Sequence, residues 1–411
     1  IAVGIVILLM LPSSLSASHY RYGNMSWTLD NSTTIRLKFQ AGFKTSKYAF
    51  LQTVGQTDDD KVEIIWGDGE SDNVTIKTIT VVGDDSSVVE IGVNSGGTWV
   101  TGVTHTYADN GTYIVSWTDG QRITNIHNIP SSNSKDWRLE TKVTIGGIYA
   151  GNVSPVSSVP PVVLVQDNTT DNFTYQVSAI DANSGDNLHF RWGTYKEFID
   201  NTSSSTYSKP NGMELSSDGY INWDVKDSVL GDDDGEGTGG GEVDALWSAF
   251  IMIEDSGSSG DNKSYIPIDF FFKIACATCA PPPFTVFPTG TQTVSVNNEK
   301  TFTIKSKDDS TSAPTISVIS SCSDNSSIWS TSSSNSMVGE DNITTFTINF
   351  TPDSSMGGTT CVVPIRSTDV DGMTKDQSLS IQISAVANAD PTAPILISPA
   401  DGDNVTSPVT F

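Results

Sequence analysis

Short runs of alternating apolar and polar residues constrain the fold of this chain more than any other feature. The runs are rich in Thr and aromatic residues, and clusters of Gly, Asn, Asp and Ser separate them. A period of two places the apolar residues on one face of a half-buried strand. The sequence therefore predicts an all-β protein whose sheets stack face to face. The clearest apolar positions are Ile35, Leu37 and Phe39; Tyr113, Val115 and Trp117; Phe173, Tyr175 and Val177; Leu188, Phe190 and Trp192; Phe346, Ile348 and Phe350; and Leu379, Ile381 and Ile383.

The length and the charge of the chain further limit the number of domains and the kinds of partner to expect. A chain of 411 residues is long for one domain and suits three sandwiches of about a hundred residues each. Lys and Arg total 22 against 48 Asp and Glu, which gives a formal charge of -26 and argues against nucleic acid or an anionic membrane as a partner. The acidic excess has two interpretations, cation binding or solubility.

The first 18 residues have the pattern of an incomplete secretory signal peptide. Ile1 to Leu11 form an apolar run that is followed by Pro12 and a series of small residues. This run is shorter than the ~20 apolar residues that a membrane-spanning helix needs, so a membrane anchor is the rival interpretation. We therefore expect a secreted protein or one on the extracellular face of the cell.

Sequons for N-glycosylation agree with export. In the strands that contain Asn172 and Asn349, the Asn has the opposite parity from the apolar residues, so it is expected to face water. The predicted glycosylation sites are Asn24, Asn31, Asn73, Asn110, Asn152, Asn168, Asn172, Asn201, Asn262, Asn325, Asn342, Asn349 and Asn404.

The segment at residues 19–149 contains a turn and a strand with a recognisable signature. Trp66-Gly67-Asp68-Gly69, followed by the run from His105 to Trp117, resembles PKD (polycystic kidney disease) domains. That resemblance implies an extracellular β-sandwich that serves as a spacer or adhesion module and has no catalytic site of its own. It also implies that Trp66 and Tyr113 belong to the core, which agrees with their alternation.

Residues 155–275 resemble the cadherin-like and Ig-like modules of cell-surface proteins. A strand that ends in the acidic turn 181–186 precedes Pro210-Asn211-Gly212-Met213 and then Gly219-Tyr220-Ile221-Asn222-Trp223. Pro155, Pro160 and Pro161 indicate either a linker between domains or the start of an edge strand.

Residues 280–387 form the third predicted module, and two cysteines of the chain lie in it. Cys322 and Cys361 share the parity of neighbouring apolar residues, which favours a disulfide between the two sheets, as in Ig-like folds. Cys276 and Cys279 would then pair locally, although a redox or zinc motif is the alternative and four cysteines allow three connectivities. Residues 390–411 resemble the opening strand of a truncated fibronectin type III or Ig-like repeat.

Calcium is the one cofactor that the sequence suggests. Oxygen-bearing side chains converge on two tight turns, one with Asp181, Asn183 and Asp186 and the other with Asp369 and Asp371. Each turn offers part of the six to eight oxygens that Ca²⁺ takes, but Asp and Asn also favour turns for conformational reasons. The acidic, Gly-rich segment 231–242 fits no EF-hand frame and is predicted to be a solvated loop.

No catalytic motif is present in the sequence. The histidines His19, His105, His127 and His189 lack metal-ligand spacing, and neither a nucleophile elbow nor a phosphate-binding loop occurs. We expect a non-enzymatic protein that acts in adhesion or as an extracellular structural component, with a protein or glycan partner at the cell surface or in the matrix. A membrane tether could follow Phe411.

Two alternative functions remain open from the sequence. The modules could be accessories of a secreted glycoside hydrolase or protease. They could also bind carbohydrate, with Trp99 or Trp137 as the stacking platform.

Overall fold

The structure is a computed structural model. It describes residues 20–82, 86–123, 126–129, 132, 135–166, 172–183, 185–199, 207–225, 246–257, 260–275, 280–308, 312–323 and 325–385. Several predictions fall outside these residues: the signal peptide 1–18, the acidic loop 231–242, the Cys276–Cys279 pair, the repeat at 390–411, and the sequons at Asn168, Asn201 and Asn404.

The described chain is almost entirely β-structure, which confirms the predicted fold class. The first module contains β1 (Tyr20–Leu29), β2 (Thr34–Lys44), β3 (Thr57–Ile65), β4 (Ser71–Val82), β5 (Ser86–Ser95), β6 (Thr98–Thr101), β7 (Val103–Thr106), β8 (Gly111–Gln121) and β9 (Asp136–Ile145). The second contains β10 (Val156–Ser157), β11 (Val162–Gln166), β12 (Phe173–Gln176), β13 (Ala179–Ile180), β14 (Asn187–Trp192), helix α1 (Tyr195–Ile199), β15 (Met213–Leu215), β16 (Tyr220–Trp223), β17 (Leu246–Ser256) and β18 (Asn262–Ala275). The third contains β19 (Phe284–Val286), β20 (Gln292–Ser295), β21 (Lys300–Asp308), β22 (Thr315–Val318), β23 (Trp329–Val338), β24 (Asp341–Phe350), β25 (Thr360–Thr368) and β26 (Thr374–Ser384). Short 3₁₀ turns occur at Thr45–Lys47, Ala49–Gln52, Gly147–Tyr149 and Ser354–Met356.

Strand β2 shows how the alternation produces the sheet. Ile35, Leu37 and Phe39 are buried, while the residues between them are only partly covered. Trp66 is buried in the same core, and Tyr113 packs against it from a half-buried position. Burial of one face per strand therefore sets the register of the first module.

The first two modules share one sheet. Thirteen strands are connected by hydrogen bonds in the order β1-β2-β5-β4-β3-β8-β9-β18-β17-β14, with β6, β7 and β11 as branches. Along one edge, β18 pairs with β17; along the other it meets β9, β1 and β11 in turn. Of the two interpretations of the prolines, the structure has the start of an edge strand, because β11 follows Pro161 and, among the described strands, pairs only with β18. Pro160 and Pro161 are buried against this shared sheet.

Strand β18 is apolar on both faces because each face lies in a different core. Ile268 and Phe270 belong to the core of the second module, whereas Phe271 belongs to the core of the first. A strand that is covered on both faces has a near-continuous apolar run rather than an alternation. Pro267 lies between Tyr265, which pairs with β9, and Ile268, which pairs with β1.

A buried ion pair joins the two modules at this strand. Arg122 follows β8, and its Nη1 lies 3.0 Å from Oδ2 of Asp269 on β18, with both side chains fully buried. The guanidinium lies between the rings of Trp137 and Phe198, at 4.1 and 3.4 Å from their centroids. Its Nη2 also donates to the Phe198 carbonyl at 2.8 Å. Burial raises the pKa of Asp269 to about 6, and the adjacent guanidinium keeps this carboxylate ionised at neutral pH.

The third module is a separate two-sheet sandwich. Its sheets have the strand orders β19-β21-β24-β23 and β20-β26-β25-β22, and Phe346, Ile348 and Phe350 lie in the core between them. Arg366, which is paired with Asp376 at 2.8 and 2.9 Å, donates to the Val162 carbonyl of β11. The third module therefore docks against the shared sheet.

The disulfide between Cys322 and Cys361 is present, but it does not join the two sheets. Cys361 is the second residue of β25, and Cys322 lies on the segment that continues from β22, which pairs with β25 in the same sheet. Parity correctly aligned Cys361 with the buried Val363 and Ile365. Parity alone could not identify the sheet that holds the partner cysteine.

Replacing Arg122 with Met should lower the free energy of unfolding by about 3–5 kcal/mol, because the Asp269 carboxylate would stay buried without its partner. Urea unfolding measures the change. The control Arg36→Met breaks a surface pair with Asp30 and should cost about 1 kcal/mol or less. Adding Asp269→Leu to Arg122→Met should recover most of the loss. A loss from Arg122→Met no larger than that of the control would contradict a structural role for the pair.

Removing the Cys322–Cys361 disulfide by changing both residues to Ala should lower the stability of the third module by about 2–4 kcal/mol, since the bridge constrains the unfolded chain. It closes a loop with a sequence separation of 39. Thermal unfolding compares the double variant with the parent, and peptide mapping without reductant checks the connectivity. An unchanged midpoint would show that the bridge contributes little.

Candidate cation site

The acidic turn between β13 and β14 brings two of the predicted calcium ligands together. Asp181 Oδ1 accepts a hydrogen bond from the backbone N–H of Asn183 at 2.7 Å, which is an Asx turn. Gly185 has a φ of +94°, a conformation that favours glycine, and it returns the chain towards β14. The carboxyl groups of Asp181 and Asp186 therefore lie on the same side of the turn.

A third carboxylate comes from the end of β17. Asp255 has the parity of Ile251 and Ile253, which lie in the second core, and it is fully buried. Carboxylate oxygens of Asp181, Asp186 and Asp255 all lie within 4.8 Å of one another. Sequence reasoning missed Asp255, although a carboxylate on the apolar parity of a strand was a usable signal.

A lysine and an asparagine complete the cluster. The Lys263 Nζ lies 2.5 Å from Oδ2 of Asp186 and 3.3 Å from Oδ1 of Asn152. The Asn152 Nδ2 donates to Oδ2 of Asp255 at 3.0 Å, and the Ser264 backbone N–H donates to Oδ1 of the same carboxylate at 2.5 Å. The cluster therefore connects the segment that leaves the first module with the β17–β18 hairpin.

Burial raises the pKa values of two of these carboxylates, those of Asp181 and Asp255. Burial raises the pKa of Asp181 to about 7, and repulsion from Asp255 and Asp186 adds to the shift, while Lys263 opposes it. Burial likewise raises the pKa of Asp255. The folded chain thus retains a proton on Asp181 at pH values where the unfolded chain has released it, so its stability falls as the pH rises from about 4 to about 7.

The carboxylate oxygens of this cluster are the kind of ligand that a hard cation prefers. Ca²⁺ binds six to eight oxygens at about 2.3–2.6 Å, and three converging carboxylates supply several of them. A bound cation would relieve the repulsion that raises the pKa of Asp181. The ammonium of Lys263 now provides part of that compensation, so a cation would have to displace it.

Two of the other predicted ligands, Asn183 and Asp369, have structural roles. Asn183 Oδ1 accepts from the Val153 N–H at 2.9 Å, and its Nδ2 donates to the Gly151 carbonyl at 3.1 Å, so the side chain holds the segment after the first module. Asp369 Oδ1 accepts from the Met373 N–H at 2.8 Å, which closes the β25–β26 turn. Among the described residues, neither Asp369 nor Asp371 belongs to a group of three metal-ligating side chains.

A second acidic group lies at the Trp66-Gly67-Asp68-Gly69 turn. Asp68, Glu70 and His105 place ligand atoms within 4.8 Å of one another, but Nε2 of His105 already lies 2.7 Å from Oδ2 of Asp68. The His105 ring stacks on Trp66 with centroids 4.5 Å apart. A Cβ at Gly67 would lie 2.6 Å from the Ile114 carbonyl oxygen, so the turn packs directly on β8. The structural role expected for His105 accounts for this arrangement.

Two of the predicted glycosylation sites are buried, which corrects those two predictions. Nδ2 of Asn24 donates to the Tyr22 hydroxyl and the Ser157 carbonyl, and Nδ2 of Asn152 lies in the carboxylate cluster. A glycan cannot replace these contacts without opening the junction between the modules. Asn31, Asn73, Asn110, Asn172 and Asn325 are exposed, and Asn262, Asn342 and Asn349 are half-buried.

The two candidate sugar platforms also have structural roles. Trp137 is fully buried beneath Arg122, so the expectation that it could stack on a sugar was wrong. Trp99 is half-buried, its Nε1 donates to Glu90 at 2.7 Å, and the Lys77 ammonium lies 5.0 Å from its ring centroid. Within the described ranges, no helix has the length and apolar character to cross a membrane.

Comparison with known proteins gives one family match. Residues 21–146, which make up most of the first module, match the family described as the N-terminal domain of integrin beta-like proteins A–E. This finding concerns the same module that the sequence likened to PKD domains, and it does not single out the PKD family. No curated protein matches the chain.

Solved structures with some similarity to the chain include a region of an adhesin and two cadherin-type ectodomains. The sialic acid binding region of a Streptococcus sanguinis adhesin is 14% identical over 56% of this chain and 78% of its own, with a TM-score of 0.19. The protocadherin GammaB4 extracellular domain is 11% identical, covering 81% of this chain and 44% of its own, with a TM-score of 0.18. The human desmocollin-1 ectodomain is 13% identical, covering 88% and 67%, with a TM-score of 0.18. These TM-scores are too low for the superpositions to support an argument about this chain.

The variant Asp181→Asn should be more stable than the parent at pH 8 without calcium and nearly equal to it at pH 4. The amide removes the repelling charge but keeps the oxygen that accepts from Asn183, so the turn is preserved. Thermal unfolding at the two pH values, with calcium and then with chelator, measures this effect and also tests whether calcium raises the parent midpoint more than that of the variant.

The matched control is Asp371→Asn, which makes the same charge change in an exposed turn and should alter neither response. If the parent has the same midpoint with calcium and with chelator, calcium does not bind the folded cluster. If Asp181→Asn and Asp371→Asn have equal unfolding midpoints at pH 8, the repulsion of Asp181 by Asp255 and Asp186 does not measurably lower the stability of the folded chain.

Proposed function

We propose that this chain is a secreted or cell-surface modular protein that acts in adhesion or as an extracellular structural component. The observation that carries the proposal is the match of residues 21–146 to the N-terminal domain of integrin beta-like proteins. Tandem β-sandwich modules support it, as does a disulfide, because such bridges persist in oxidising compartments. The formal charge of -26 also supports it, since an acidic chain is a poor partner for nucleic acid.

The finer parts of the proposal concern the first module and the cation. The Trp66-Gly67-Asp68-Gly69 turn, with its stacked His105, supports a PKD-like spacer rather than a catalytic unit. Calcium at Asp181, Asp186 and Asp255 would tighten the junction between the first and second modules, because Asp255 contacts Asn152 at the end of the first module and all three carboxylates belong to the second. A stiff block of modules would hold a binding surface at a fixed geometry.

The partner in this proposal is a protein or glycan at the cell surface or in the matrix. The carbohydrate alternative is weakened by the positions of Trp137 and Trp99, since one is buried and Lys77 lies over the ring of the other. The alternative of accessory modules for a secreted hydrolase predicts binding to a polymeric substrate rather than to cells.

Adhesion can be tested with beads that carry the purified chain. Coated beads should be retained on cells of the source organism under shear more strongly than beads coated with albumin, and chelation should reduce the retention. Beads with Asp181→Asn should lose most of the calcium dependence, whereas beads with Asp371→Asn should retain it. Retention equal to that of albumin-coated beads in every condition would falsify the adhesion proposal. Strong retention that chelation does not reduce would contradict only the role of calcium and would leave the adhesion proposal standing.

A further inference from the structure

The longest edge strand of the third module is almost fully exposed. Strand β23 (Trp329–Val338) pairs with β24 along one side and ends its sheet on the other. Trp329 is buried, but all nine residues from 330 to 338 are exposed. The pairing with β24 runs through ten residues without a register shift, so no β-bulge twists the edge away.

Most other edge strands in the described part of the chain are short. Strands β6, β7, β10, β11, β12, β13, β14, β15, β19, β20 and β22 have two to six residues. Proteins protect sheet edges by shortening them or by adding charge, proline or bulges. Strand β23 has none of these devices, since its sequence is WSTSSSNSMV.

The exposure of β23 has a structural cause. The opposite sheet ends at β22, which has only four residues, so no strand of that sheet covers the inward face of β23 beyond Trp329 in the described part of the module. The inward parity positions Thr331, Ser333 and Asn335 are polar and exposed. The strand therefore presents two polar faces and a row of backbone N–H and C=O groups.

Charge makes this edge distinctive on the surface. The chain carries a formal charge of -26, so two copies repel one another over most orientations. The ten consecutive uncharged residues of β23 provide a place where two copies can approach without placing carboxylates together. An extended acidic or basic peptide would gain no charge complementarity from β23, whereas a second β23 matches its neutrality.

We propose that β23 is a homotypic docking edge, at which β23 of a second copy of this chain pairs antiparallel across a two-fold axis. Pairing around Ser334 places Met337 opposite Thr331 and Val338 opposite Ser330. It covers side chains that are now 69% and 63% exposed, those of Met337 and Val338. Ser332 then faces Ser336 across the strands, and hydroxyl pairs of this kind form hydrogen bonds.

The antiparallel orientation follows from the turn that ends the strand. Glu340 and Asp341 lie just after Val338. A parallel pair would bring the two acidic turns together, whereas an antiparallel pair separates them by roughly 40 Å at about 3.3 Å per residue. Joined sheets of this kind gain mainly backbone hydrogen bonds, so we expect a weak, concentration-dependent dimer rather than an obligate one.

The test uses sedimentation of the full chain across a concentration series at physiological salt. The parent should dimerise, and both Ser334→Lys and Ser334→Glu should weaken association by about tenfold or more, because each variant places like charges at the axis. A mixture of the two variants should restore association, since the introduced ammonium of one copy then meets the introduced carboxylate of the other. Thr293→Lys is the matched control, because Thr293 is exposed on β20, and it should leave the dimer unchanged.

Three outcomes would overturn the proposal. The parent could remain a monomer at all concentrations, with amide exchange at β23 showing whether another segment of the chain covers it. The two Ser334 variants could shift the dimer in opposite directions, which would indicate a general charge effect. The mixture of Ser334→Lys and Ser334→Glu could fail to associate, which would mean that the two-fold axis does not pass through Ser334. The proposal does not depend on calcium or on adhesion, so either can fail without it.

Discussion

The buried pair of Arg122 and Asp269 is the interaction on which the arrangement of the first two modules depends. Neither charge reaches water, so each needs the other, and the partners come from different modules. The guanidinium is held between Trp137 and Phe198, which fixes β18 against the end of β8. A buried pair of this kind adds little net stability over an apolar one, but any arrangement of the modules that separates the two charges would leave each of them buried without a partner.

The same shared sheet creates the candidate cation site. Because β17 and β18 are covered on both faces, the hairpin between them carries Asp255 and Lys263 into the junction, where they meet Asp186 and Asn152. The surplus of carboxylates adds to the effect of burial, which raises the pKa of Asp181 to about 7. This surplus is the physical reason for considering a cation there. The turn of Asp369 differs, because that side chain closes its own hairpin.

Alternation along the chain was enough to predict the all-β fold and the inward parity of Cys361. The oxygen-bearing side chains of Asp181 and Asp186 were enough to predict the tight acidic turn. It failed where the chain departs from one buried face per strand. The apolar run of β18 gave no alternation, so the contact between the modules was not predicted, and the prolines left a linker and the start of an edge strand equally open. The buried Asn24 and Asn152 match the glycosylation pattern in sequence, which does not report burial.

The sequence by itself determined the strands, their inward faces and the turns between them, because these depend on periodicity and on local backbone preferences. Only the tertiary structure decided that two modules share a sheet, that Asp255 and Lys263 join the acidic turn, and that β23 is left uncovered. These features depend on pairing between segments far apart in the chain, as with Asp186 and Lys263, which are separated by 77 positions. No local pattern in the sequence encodes such a pairing. The free energy that stabilises it comes from burying two surfaces that belong to distant segments, and neither segment's own pattern identifies the other.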